Sequence, residues 1–322
     1  MYKKIVLLLC FLAAMSCSSP SSPNSGSEGD IVNGGGSGNG GGSGNTGDGG
    51  STGDGGNTDI PWTEIAPPLP VLDDEAIKYG IDISQEDSVI KEKIKTRLEE
   101  CKKEGNGYKI IFIGTPKAQY SQQNSLARLV IDAAFDLEIY SKNIEIDISN
   151  IYFNERKIKS SMFKGYNRIG EYTITFKFPE NTIRVIEKGA FSLFGKHFNE
   201  ITIPESVIGI KAYAFQVDNN LSKVTFGADS KLEYVEDLAF SYCPIKEIVI
   251  PASVTSLGRK PFGDSLTTVT YLGTKPNAIQ HSGDVFDGCT ALKTLILPNV
   301  ENPKLEEWQN FLGGNFTTVK QK

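Results

Sequence analysis

Histidine is nearly absent from these 322 residues: there are two, His197 and His281. No His-x-x-x-His or Cys-x-x-Cys spacing occurs, so neither a zinc site nor another cofactor is expected. His197 precedes the apolar Phe198 and reads as a solvated turn residue. His281 lacks the sequence support that a Ser/His or Cys/His pair would need. Excess positive charge is missing as well. The chain has 33 Lys and Arg against 39 Asp and Glu, which supplies no basic surface for a nucleic-acid partner. One long apolar run occurs, Ile5 to Ala14, and it is too short to span a bilayer as a finished helix. Phosphate loops fail on detail. Gly-rich runs such as Gly34 to Gly44 follow no strand and end in no Gly-Lys-Ser/Thr. Gly114-Thr115-Pro116-Lys117 has the right flanks and the wrong glycine spacing. Paired carboxylates such as Glu99-Glu100, or Glu306-Glu307 beside Lys304, read as solvated helix faces.

What is present is a repeat. Ala190-Phe191, Ala214-Phe215, Ala239-Phe240, Pro261-Phe262 and Val285-Phe286 place Phe residues 24, 25, 22 and 24 apart. A period in the twenties is the signature of a solenoid. Eight and five residues before the first four of these Phe residues stand aliphatic residues: Ile183 and Ile186, Val207 and Ile210, Leu232 and Val235, Val254 and Leu257. After most Phe positions comes apolar-x-x-apolar-x-apolar, as in Phe198, Ile201, Ile203 and Ile245, Ile248, Ile250. The last two of each triplet alternate with polar residues, the period of a half-buried strand. Pro179, Pro204, Pro251 and Pro298 then end the ladder. The segment between Pro and Phe is too short for a full helix, and turns and 3₁₀ pieces are expected there. At the fifth repeat His281 sits where an aliphatic belongs and Ala278 is small for its column.

The pattern Ile203-Pro204-x-Ser206-Val207-x-x-Ile210-x-x-x-Ala214-Phe215, echoed from Ile250 to Leu257, resembles the BspA-type (treponemal-type) leucine-rich repeat. The resemblance covers residues 144–300, with a degenerate first repeat at Ile144, Ile146, Ile148, Ile158 and Met162-Phe163. It implies an α/β fold: a leucine-rich-repeat solenoid with a parallel short-strand sheet, an N-terminal α/β cap and a C-terminal helical cap. It also implies a surface protein that binds rather than catalyses, as adhesion-type members are thought to do.

The flanks complete the organisation. In residues 1–17, Lys3 and Lys4, the apolar run and Ala14-Met15-Ser16-Cys17 resemble a bacterial lipoprotein signal peptide, which implies lipidation at Cys17 and membrane attachment in the cell envelope, at the outer membrane or cell surface. The alternative is a plain secretory signal in which Cys17 is incidental; Cys10 is a weaker anchor because its apolar region would be very short. Residues 18–71 are a Gly/Ser/Asn-rich tether, extended and Pro-rich from residue 60 with Trp62. Its Gly-rich part, ~40 residues, has an r.m.s. span of roughly 35 Å. Residues 72–143 read as an α/β capping region: a helix from Ser84 as N-cap through about Lys103, a strand Tyr108–Ile113 and a helix from about Gln122 to Leu137. Residues 301–322 read as the C-terminal cap, with a helix Pro303–Leu312 carrying Trp308 and Phe311, then an extended tail.

Three cysteines remain in the folded part. Cys243 and Cys289 both lie three residues after a repeat Phe, two repeats apart. Strand spacing puts them roughly 10 Å from each other, beyond the ~7 Å a disulfide allows, so both are expected to be buried and reduced.

Function then falls to the exposed strand positions. One column would be Lys177, Thr202, Thr225, Val249, Thr270 and Ile296. The other would be Thr175, Glu200, Lys223, Glu247, Thr268 and Thr294. Thr and Val are good strand formers in their own right. As a surface, a nearly charge-balanced, Thr-rich concave face with Val249 and Ile296 exposed suits a protein partner, host or bacterial, or alternatively a glycan. An enzyme with its site in the 72–143 block would need a deep pocket of convergent polar groups there.

Overall fold

The computed structural model describes residues 66–105, 107–166 and 172–322. The signal segment with Cys17, the tether as far as residue 65 and Trp62 lie outside the described residues.

The first block alternates helix and strand: α1 (Asp74–Tyr79), β1 (Ile81–Asp82), α2 (Asp87–Glu104), β2 (Tyr108–Gly114), α3 (Leu126–Asp136) and β3 (Asn143–Ile151). Asp73 caps α1, its Oδ1 accepting the Ala76 N–H at 2.7 Å. Ser84 does not cap α2. Its hydroxyl donates to Asp82 at 2.7 Å, and Glu86 takes the N-cap position with no side-chain bond. The helix buries Ile90, Ile94, Leu98 and Cys101, and Gly105 ends it in the left-handed region that glycine enters freely. The second helix begins at Leu126 rather than Gln122, because the Asn124 side chain accepts from the Ser121 N–H at 2.6 Å and holds that segment in a turn.

From there strands of two lengths alternate along the chain: β4 (Lys157–Ile158), β5 (Thr173–Lys177), β6 (Val185–Ile186), β7 (Glu200–Ile203), β8 (Gly209–Ile210), β9 (Lys223–Phe226), β10 (Tyr234–Val235), β11 (Glu247–Ile250), β12 (Ser256–Leu257), β13 (Thr268–Tyr271), β14 (Gln280–His281) and β15 (Thr294–Ile296). The longer strands, with the two-residue β1 at one edge, pair in parallel as β1-β2-β3-β5, β7-β9 and β11-β13-β15-β16, where β16 is Thr318–Lys320. The extended tail is therefore the last strand of a sheet. The two-residue strands form a second parallel ladder, β4-β6-β8-β10-β12-β14. Turns and 3₁₀ pieces were expected on that side. Among the described residues the one 3₁₀ segment is Phe311–Gly313, outside the repeats. Left-handed residues two before and two after the repeat Phe (Tyr213 and Val217, Leu238 and Tyr242) interrupt any helical run.

The core lies between the two ladders. Phe163, Phe191, Phe215, Phe240 and Phe262 stack in one column at centroid spacings of 5.5, 5.2, 4.8 and 6.3 Å. A backbone ladder runs beside the rings. The N–H groups of Phe163, Phe191, Phe215 and Phe240 donate to the carbonyls of Ala190, Ala214, Ala239 and Pro261 at 2.7–2.9 Å. Pro261 serves as well as alanine because the ladder asks only for its carbonyl. The motif serine has an equally local reason. Buried Ser206 donates to the Ile183 carbonyl at 2.7 Å, and Ser253 donates to the Leu232 carbonyl at 2.8 Å, each bonding the preceding repeat.

Three expectations are corrected in detail. His197 is buried, not solvated: its ring stacks on Tyr172 at 4.2 Å and its Nδ1 lies 2.9 Å from the Tyr172 carbonyl oxygen. In the fifth repeat Ile279, not Ala278, fills the core column, and His281 stands exposed opposite Leu257. The C-terminal helix is the short α4 (Leu305–Trp308), after which Phe311 packs 4.8 Å from Tyr271. Cys101 and Cys243 are buried, Cys289 is half-buried, and all three thiols are free.

Candidate ligand-binding face

Alternation along the longer strands puts every second side chain outside. In β7, Ile201 and Ile203 are buried while Glu200 and Thr202 are exposed; β9 and β11 repeat this with Lys223 and Thr225, and with Glu247 and Val249. In β13 and β15 the outward residues Thr268, Thr270, Thr294 and Ile296 are half-buried. The pairing register aligns them. Glu200 sits opposite Lys223 and Thr202 opposite Thr225. Val249 faces Thr270, which faces Ile296, and Glu247, Thr268 and Thr294 run in the row beside them. Both rows continue onto β16 through Thr318 and Lys320, residues that a reading of the tail as a plain cap missed.

The rows are not one uninterrupted ladder. β5 and β7 are not paired as strands, nor are β9 and β11. At the first break the Ile174 N–H donates to the carbonyl of buried His197 at 2.7 Å, so the histidine ties the two stretches together. Lys177 thus belongs with the first sheet. Its Nζ lies 2.9 Å from Asp147, and Thr175 pairs with Glu145.

The electrostatics divide along the same line. Asp147 is buried beneath Lys177 and Lys109, which lies 3.5 Å away. Burial alone would raise its pKa; hydrogen bonds from Ser149 and Lys177 outweigh it and hold the carboxyl below its ordinary value. Lys109 also bonds Glu75 at 2.7 Å. Sequence reasoning passed over this network, although Glu145 and Asp147 alternate along β3 like the outward residues of the other strands. Further along, Glu200 and Lys223 pair at 2.9 Å in the open. Val249 is 41% exposed, the most exposed aliphatic of the two rows, and neither row carries an aromatic residue.

Beside the first block, two grooves are lined by carboxylates already engaged. One of about 580 Å³ lies between Tyr120 and the start of the second ladder. There Lys159 pairs with Glu155 at 2.8 Å and Lys157 with Glu187 at 3.6 Å. Desolvation raises the Tyr120 hydroxyl to about 12. Lys117 of the Gly-Thr-Pro-Lys turn is ion-paired with Asp87, and Arg97 with Glu100. Among the described residues no group of His, Cys, Asp and Glu is disposed to hold a metal ion, and no helix is long and apolar enough to cross a membrane.

Residues 138–269 match the family model of the BspA type leucine rich repeat region, in six copies. No curated protein matches the chain. Among solved structures, the chain is similar to the pneumococcal vaccine antigen PcpA, at 20% identity and a TM-score of 0.36 over 56% of this chain and 58% of that one. It is also similar to a leucine rich cell surface protein of Faecalibacterium prausnitzii, at 17% identity and a TM-score of 0.30 over 55% and 56% of the two chains. A leucine-rich repeat protein of Bacteroides ovatus aligns at 21% identity and a TM-score of 0.23 over 55% and 60%. The matched stretch spans less than two thirds of each of those proteins.

Proposed function

The chain carries a BspA-type leucine-rich-repeat region, and on that premise we propose that it is a non-catalytic protein of the bacterial cell envelope that binds a protein partner through the exposed face of its longer strands. The observation that carries this reading is the composition of the two rows. They mix exposed Val249 and half-buried Ile296 with threonines and the Glu200–Lys223 pair, as a protein-binding patch mixes apolar and polar area. A glycan platform would place aromatic rings in those rows for sugars to stack on, and neither row holds one. Support for the location comes from sequence: Lys3-Lys4, a short apolar run and Cys17, followed by a Gly-rich tether, suit a lipid anchor with a spacer that displays the repeats at the outer surface.

Two measurements test it. Protease shaving of intact cells, with a periplasmic protein as control, removes this protein and spares the control if it faces outward. Survival until the outer membrane is opened rules out adhesion. A photo-crosslinking amino acid at Val249 should capture a protein in intact cells, and the same probe at exposed Thr255, just before β12 of the second ladder, should not. Equal capture at both positions, or capture of carbohydrate at Val249, contradicts the assignment of the face.

A further inference from the structure

Where the ladder is broken between β5 and β7, a groove of about 480 Å³ opens at the ends of the two strands. Its floor is made by the half-buried rings of Phe176 and Phe178, and Glu180, Asn181, Thr202 and Glu205 stand around it. The rings are immobilised from below. Phe176 meets Phe191 edge-on at 5.0 Å and Phe198 at 5.7 Å, and Phe178 lies 5.9 Å from Phe191. Glu205 is held as well, because its Oε1 accepts the Asp229 N–H at 3.3 Å. Both glutamates are exposed, and neither has an ion-pair partner among the described residues. This sets them apart from the carboxylates of the other grooves.

An aromatic floor flanked by two unpaired carboxylates matches one side chain better than others. A guanidinium is planar and stacks on a ring, and its forked N–H groups reach carboxylates on either side. Lysine would supply the charge without the plane. A sugar would also stack and would find donors at Asn181 and Thr202, but it would leave both carboxylate charges without a counter-charge. We propose that this groove seats an arginine side chain of the protein partner, acting as the anchor of the interface. The inference rests on the reading that the strand face binds a protein, and Thr202 belongs to both surfaces.

The test titrates the full chain, with labelled phenylalanine rings, using three probes: acetyl-Gly-Arg-Gly-amide, its citrulline counterpart and N-acetylglucosamine. Citrulline keeps the shape of arginine and loses the charge. The arginine peptide is expected to shift the rings of Phe176 and Phe178 saturably and to bind at least fivefold more tightly than the citrulline peptide. Glu180→Gln and Glu205→Gln, which preserve size and keep one acceptor oxygen while removing the charge, should each remove most of that preference. Phe178→Leu should weaken the arginine peptide while leaving thermal unfolding within a few degrees. Equal binding of arginine and citrulline peptides overturns the proposal, as does ring perturbation by the sugar alone. Crosslinking from Val249 separates this idea from the one beneath it. If the partner is captured undiminished from a Glu180→Gln/Glu205→Gln variant, the groove is not the anchor and the face still binds. If Val249 captures nothing in the unaltered protein, the face reading fails, and the peptide titration decides the groove by itself.

Discussion

Truncating Phe215 to alanine tests whether the repeats are held together pairwise. The ring is fully buried between Phe191 at 5.2 Å and Phe240 at 4.8 Å, with the planes within 4° of parallel on both sides. Phe→Ala in a core costs about 3–5 kcal/mol, and each stacked pair adds about 0.5–1.5 kcal/mol beyond the area buried. The two contributions overlap in part, so about 4–6 kcal/mol is expected. In a stack whose units touch only their neighbours, that loss should fall on the joint between the repeats of Phe191 and Phe240 rather than on the whole domain. The free thiols are placed to report it: Cys101 in the first block, Cys243 beside the joint with its Sγ 3.1 Å from the Phe215 carbonyl, and Cys289 near the far end. Alkylation under native conditions, read peptide by peptide by mass spectrometry, measures how often each site opens. A loss of about 4 kcal/mol corresponds to roughly a thousandfold rise in the open population. Cys243 should gain by that order, and Cys101 by less than about tenfold. If Cys101 accelerates as much as Cys243, the domain opens as one unit and the pairwise picture is wrong. A gain below tenfold at Cys243 refutes the energy assigned to the column.

Asp218 is fully buried, its Oδ1 accepting the Phe194 N–H at 2.8 Å and its Oδ2 without a partner. Burial pushes its pKa well up against the smaller opposing effect of that bond, so the stability it contributes is present below the ordinary carboxyl value of about 3.9 and lost as pH rises through the folded one. Asp218→Asn should flatten that decline in urea-unfolding midpoints measured from pH 4 upward; an unchanged slope contradicts the assignment. Asp147 has the opposite sign, because its lowered pKa makes its contribution present above about 3.9 and lost as pH falls through the folded value. Asp147→Asn should therefore remove part of the acid-side loss, readable in the same titration. Ser206→Ala should cost about 1–3 kcal/mol in chemical unfolding, since the Ile183 carbonyl loses its buried donor; a change under 0.5 kcal/mol would mean water replaces the hydroxyl. Lys223→Gln and Val249→Lys, both at exposed positions, should leave stability within about 0.5 kcal/mol while reducing crosslinking from neighbouring Thr225.

The repeat was legible because its marks recur. Phe191, Phe215 and Phe240 fix a column, and the residues around Ile201 and Ile248 alternate long enough to read as strands. The two outward rows follow from that alternation, and their register in the structure is the one expected within each paired stretch. The second ladder was not legible, because two-residue strands such as Gly209–Ile210 offer no alternation to detect. His197 was misread for a related reason. Its neighbours in sequence suggest a turn, and its burial depends on Tyr172, 25 residues away, whose ring lies flat against it. Ser84 has the sequence of a cap, but its N–H and hydroxyl both turn onto the Asp82 carboxylate, and the helix starts three residues later at Asp87. The tail was legible as an extended segment, while the strand it forms, Thr318–Lys320, is too short and polar-flanked to show its partner.

The turn ladder at the phenylalanines joins one unit to the next through main-chain groups alone, and the ring above it meets another copy of itself. Such a joint is indifferent to which two units it connects. Excising residues 216–240, one full period, would bring the Phe215 N–H to the Pro261 carbonyl and the Phe215 ring to that of Phe262, the partners Phe240 has now. A gene encoding this stack can therefore lose or duplicate a unit by unequal recombination and keep the main-chain bonds of the joint, this excision giving up the Asp218 acceptor of the Phe194 N–H. The length of the exposed face becomes heritable variation in its own right, separate from the side chains that decorate it.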